Sequence, residues 1–212
     1  MQSSPCKNVN KDCIMIPDHS EHCRGCKEQV RRLLITLYGD CQVNHSFPWP
    51  AKFQDYNNTA IGDTLQRIHA GLCELRGYRD FVKSPQIPPC DYYISSPPFI
   101  VEFDESQHFS APRLVSLSLY SSEFKAGYPQ LRWRELCLEI DAKDDEPVDR
   151  DERRAWYDVL RDLVPTVHGF CPTVRLYAGE FAWCSLDSSS ARDHQIFRTM
   201  LKDRLPDVLA AK

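Results

Sequence analysis

Acidic, amide and imidazole side chains crowd one short stretch of the chain. It runs Cys90-Asp91-Tyr92-Tyr93-Ile94, then a Ser/Pro gap, then Phe99-Ile100-Val101-Glu102-Phe103-Asp104-Glu105-Ser106-Gln107-His108. The pattern predicts two short strands joined by a turn. Side chains alternate across a strand, so Glu102 and Asp104 share a face, and Asp91 joins them if the strands pair. Clustered carboxylates repel one another and desolvate badly unless a cation neutralises them. A divalent metal that activates water for phosphodiester cleavage is the natural occupant.

A second constellation lies at the N-terminus. Four of the ten cysteines, Cys6, Cys13, Cys23 and Cys26, fall within the first 26 residues. Gly25 permits the tight turn of Cys23-Arg24-Gly25-Cys26, which lets two thiolates grip one ion. Cys6 and Cys13 supply a looser pair, completing a structural zinc site, with His19 and His22 as substitutes. The remaining cysteines, at 41, 73, 90, 137, 171 and 184, sit mostly among apolar residues and read as buried free thiols.

These groups must be positioned by a core. With 212 residues, 42 % of them hydrophobic, the chain can build one large domain with a small appendage. The expected division is a Cys-rich knuckle over residues 1–26 and an α/β domain over 27–212. Val30, Leu33, Leu34 and Leu37 recur at helical spacing until Gly39. A short strand is expected near 41–47, a polar loop over 51–60, and a second helix over 61–75 on Leu65, Ile68 and Leu72. Ser110 caps a helix over 111–120, with Pro112 in its first turn. Residues 131–140 fit either a strand, by alternation of Leu136, Leu138 and Ile140, or a helix, by the spacing of Trp133 and Cys137. A helix over 149–163 is followed by a hairpin, 173–177 with 181–186, and a final helix over 191–205. Strands interspersed with helices predict a central mixed β-sheet covered on both faces.

The net charge of −4 excludes a strongly basic nucleic-acid coat, so any such contact is local. No run is long enough for a membrane helix, and the N-terminus lacks an apolar signal region, which points to a cytoplasmic protein. Phosphate-binding glycine loops, dinucleotide fingerprints and nucleophile elbows are absent.

The order of Glu28 on a helix, a strand, an acidic strand with Asp91, an acidic strand with Glu102 and Asp104, then Gln107-His108, resembles the PD-(D/E)XK nuclease superfamily. It is most similar to the very-short-patch-repair-like branch, whose second strand ends in Glu-x-Asp-x-x-x-His. The resemblance covers about residues 27–180. Cys90-Asp91 stands where the superfamily has Pro-Asp, and Asp104 fills its lysine position. It implies a restriction-endonuclease-like fold and a metal-dependent endonuclease using Mg or Mn, with DNA preferred to RNA and a protein partner alongside. Asp91 and Glu102 would be metal ligands, and Asp104 a further ligand or general base. Gln107 would orient water or phosphate, His108 would move a proton, and Glu28 would hold metal-bound water. Arg150 and Arg154 would lie near the scissile phosphate; otherwise they belong to a solvated, ion-paired helix face. A competing acid-x-Lys motif stands at Asp141-Ala142-Lys143. The alternative function is a nuclease-like fold that has lost catalysis and serves as a binding or assembly module in a larger nucleic-acid-processing or defence complex.

Overall fold

The computed structural model describes residues 21–205. Cys6 and Cys13, and His19 with them, lie outside the described residues. The elements run α1 (Arg24–Tyr38), β1 (Gln42–His45), α2 (Gly62–Arg76), β2 (Cys90–Ser95), β3 (Pro98–Asp104), α3 (Ala111–Ser118), α4 (Gln130–Ile140), α5 (Arg150–Val167), β4 (Val174–Tyr177) and α6 (Ala191–Arg204). Short 3-10 turns form at Phe53–Tyr56, Ser106–His108 and Trp183–Ser185. None of the described helices is long and apolar enough to cross a membrane.

The four strands form one mixed sheet in the order β1-β2-β3-β4, antiparallel except for the parallel β3–β4 pair. The α/β architecture expected from the sequence is therefore present. Alternation along β3 sorts its side chains. Phe99, Val101 and Phe103 pack with Val30, Leu33 and Leu34 of α1 and with Phe197 and Leu201 of α6. Ile100 packs on the opposite side with Leu65, Ile68 and Leu72 of α2 and Trp156, Val159 and Leu160 of α5. Glu102 and Asp104 follow Ile100 at the two-residue period, so they point toward the α5 layer. Gly39 ends α1 in the left-handed region (φ 79°), its N–H donating to Ile35 O at 2.7 Å.

Two expectations resolve differently from the strand readings. Residues 130–140 are helical, because Trp133, Leu136 and Cys137 bury together while Leu131 and Leu138 point outward. The expected hairpin does not form. Only 174–177 is a strand, and it pairs with β3. Residues 183–185 make a 3-10 turn instead, which drives the Trp183 ring into the core between Phe103, Phe181 and Phe197.

Candidate functional site

The sheet register sets a row of polar residues. Val43 pairs with Tyr92 and His45 with Cys90, which places Asn44 beside Asp91. Continuing one residue beyond the Tyr92–Val101 pair brings Asp91 alongside Glu102, and Glu102 pairs directly with Arg175 of β4. The β2–β3 ladder stops at Tyr92–Val101. Beyond it the Asp91 carboxylate takes the place of a backbone acceptor, with Oδ2 receiving Phe103 N–H at 2.8 Å. Asp91 also lines a surface groove of about 290 Å³ together with Glu28, Asn44, Arg24, Lys27 and Arg31. Glu28 is tied on its own helix to Arg32 (3.0 Å) and Arg31 (3.4 Å).

Glu102 is 4 % exposed. Its Oε2 lies 3.1 Å from Arg161 Nε, too poorly aligned for a hydrogen bond, and its buried Oε1 has no partner. Burial without a donor pushes its pKa up to about 8. Arg161 opposes the shift, and Asp91 and Asp158 add to it. Catalytic sites share such a perturbed carboxylate with structural ion-pair networks.

Asp104 and Asp158 belong to a different environment. Arg175 Nη1 donates to Asp104 Oδ1 at 2.7 Å, and Trp133 Nε1 donates to Asp104 Oδ2 at 2.8 Å. Arg175 Nε donates to Asp162 Oδ1 at 2.7 Å, and its Nη2 reaches Asp158 Oδ1 at 3.3 Å. Asp162 Oδ2 accepts from Arg113, Tyr120 and Tyr128 at 2.6–2.8 Å. Arg161 Nη2 donates to Asp158 Oδ1 at 2.9 Å, and His108 Nδ1 lies 2.9 Å from Asp158 Oδ2. Burial alone would lower the pKa of His108, but Asp158 and Asp104 outweigh it and raise it. For Asp158, burial would raise the pKa, yet His108, Arg175 and Arg161 hold it well below the usual range.

Asp104, His108 and Asp158 bring their ligand atoms within 4.8 Å of one another and so could hold a metal ion. Their donor chemistry argues against one. Both Asp104 oxygens and both Asp158 oxygens already receive N–H groups or face the imidazole, and Arg161 and Arg175 supply the neutralising charge. A dication would have to displace guanidinium groups buried in the core. Glu102 differs from these residues in keeping one carboxylate oxygen, Oε1, buried and unmatched.

The other expected residues are placed as follows. Gln107 donates to Glu105 at 3.3 Å, and its carbonyl accepts from Arg154 at 3.0 Å. Arg154 also pairs with Asp144 (2.6 Å) and Asp151 (3.4 Å), and Arg150 with Asp144 (3.0 Å). Both arginines therefore serve the intramolecular ion-pair face. Asp141 caps α4 with a left-handed backbone (φ 42°) and Lys143 is exposed beside it, so the competing acid-x-Lys motif does not stand on a strand. Trp133, the partner of Asp104, is buried.

Sequence reasoning missed Arg113, and it took Asp158, Arg161 and Asp162 as part of the solvated, ion-paired helix face of Arg150 and Arg154. For Asp158 and Asp162 the available signal was the i,i+3 spacing from Ala155 and Val159, which puts them on the stripe of α5 turned toward the sheet. It also missed Cys184, whose Sγ lies within 4.8 Å of those of Cys23 and Cys26. This trio could hold a metal ion. Cys23 caps α1, and donors at the helix start, led by the Cys26 N–H, lower its thiol pKa.

No family model, no curated protein and no solved structure matches this chain.

Proposed function

We propose that the chain is a metal-dependent phosphodiesterase of nuclease-like design, acting in the cytoplasm on nucleic acid, with DNA preferred to RNA. The observation that carries this reading is the buried, unpartnered Glu102 Oε1 beside Asp91, with a pKa near 8. A Mg or Mn ion held by Asp91 and Glu102 would supply Lewis-acid activation of water and phosphate. The chain's own residues account for the rest. Arg24, Lys27 and Arg31 edge the groove beside Asp91 and attract a phosphodiester backbone. Glu28 in the same groove accepts hydrogen bonds from water. Asp158 holds His108 through Nδ1 and, against the lowering effect of burial, raises its pKa, which favours the protonated imidazole that an acid for the leaving oxygen requires. Arg161 links the two halves, contacting both Glu102 and Asp158. The cysteine trio is read as a structural zinc site.

A second reading has its own observation. Glu102 is almost fully buried and faces Arg161. A fold that had lost cleavage and worked as a binding or assembly module would keep that ion pair as its core. Incubation of the full chain with supercoiled plasmid, single-stranded DNA and RNA, in Mg or Mn against a chelator control, separates the two. Metal-dependent cleavage that is lost in Asp91→Asn supports the enzyme. Inactivity on every substrate supports the module.

A further inference from the structure

Away from the carboxylates, three thiols meet where the two ends of the described chain come together. Cys23 is the N-cap of α1, and Cys26 lies in its first turn, with its N–H donating to Cys23 O at 3.0 Å. Cys184 arrives from the far end of the sequence, in the 3-10 turn Trp183–Ser185. The three Sγ atoms lie within 4.8 Å of one another. Gly25 lies between them, a Cβ there meeting both Cys23 Sγ and Cys184 Cβ at 3.5 Å, ordinary van der Waals contact. No disulfide can pair three sulfurs. Tetrahedral zinc, with bonds of about 2.3 Å, spaces its sulfurs about 3.8 Å apart. A small inward rotation of these side chains reaches that spacing.

We infer that Cys184 is the third thiolate of a zinc ion, and that the ion clamps the segment from Trp183 through α6 onto the start of α1. The inference rests on reading the trio as a zinc site and adds to it a mechanical role. The clamp closes a loop that contains the whole sheet, so it removes a large part of the freedom of the unfolded chain. It acts beside an apolar contact in which Trp183, Phe197 and Leu201 pack with Val30 and Leu33.

The test uses the full-length protein. Elemental analysis is expected to find about one zinc per chain in the wild type, loss of that zinc in Cys26→Ser and Cys184→Ser, and retention in Cys184→His, which restores a ligand. Because a serine variant can misfold, hydrogen exchange on the wild type provides a second measurement. Chelation should accelerate exchange across residues 183–204 and leave the β2–β3 amides protected. Zinc lost from Cys26→Ser but kept in Cys184→Ser, or exchange over 183–204 that ignores chelation, overturns the clamp and leaves the zinc reading standing. A wild type that folds without zinc overturns both.

Discussion

Replacing Asp104 with Asn gives the sharpest test of how the buried charges are divided. Asp104 is 1 % exposed, and its two oxygens accept from Arg175 at 2.7 Å and Trp133 at 2.8 Å. The substitution keeps the shape and removes the charge. It leaves Arg175 short of one of the carboxylates that neutralise it, and either amide orientation costs a bond: the amide nitrogen faces the donor of Arg175 or that of Trp133. Removing one partner of a buried ion pair typically costs about 3–5 kcal/mol. For a chain of this size each kcal/mol moves Tm by about 2–4 °C, so the expected fall is about 6–20 °C. Urea unfolding followed by circular dichroism would measure it, with the slope checked to stay constant. If Asp104 instead belonged to a cluster of mutually repelling metal ligands, its removal from the metal-free protein would be neutral or stabilising. An unchanged or raised Tm would refute the assignment of Asp104 to the ionic core.

Other outcomes follow from the same geometry. Glu102, with its pKa raised to about 8, binds a proton more tightly in the folded protein than in the unfolded chain. Its contribution to stability is complete below about pH 4.5 and lost as pH rises toward about 8, a slope that should disappear in Glu102→Gln during pH-dependent urea titrations. His108, also raised, contributes fully below about pH 6.5 and loses its contribution as pH passes its folded value. His108→Ala should slow cleavage by roughly two to four orders of magnitude and leave Mn affinity intact in a direct titration. Asp158 and Asp162, both lowered, act in the opposite sense: their stabilisation is present above about pH 4 and fails below it, so acid unfolding should begin there. Asp141→Ala and Lys143→Ala, both at exposed positions, should change stability by less than about 0.5 kcal/mol and leave cleavage unaltered.

The apolar periodicity of residues 30–37, 61–75 and 149–163 showed three helices, because a packed helix must present its buried residues every third or fourth position. Alternation likewise showed β2 and β3. Residues 131–140 were ambiguous, since Leu131 and Leu138 are large apolar residues that the fold leaves exposed. The supposed strand at 181–186 failed for a tertiary reason: Trp183 is drawn into the core and Ala178 N–H instead extends the pairing to Asp104 O. The positions of Asp91 on β2 and of Glu102 and Asp104 on β3 were readable from the two-residue period. What separates Glu102 from Asp104 was not readable, because it depends on Arg161, Arg175 and Trp133 arriving from α5, β4 and α4. Cys184 was hidden for the same reason, as its partners lie at the other end of the chain.

The proposed catalytic cation sits at Asp91 and Glu102, with Asp104 and Asp158 neutralised by Arg161 and Arg175. Titration of Mn into the wild type, Asp91→Asn and Asp104→Asn, with free Mn followed by its paramagnetic resonance, tests it most directly. The Mn site should disappear in Asp91→Asn and survive in Asp104→Asn wherever that variant remains folded. A site that survives in Asp91→Asn and disappears in a folded Asp104→Asn would contradict this placement.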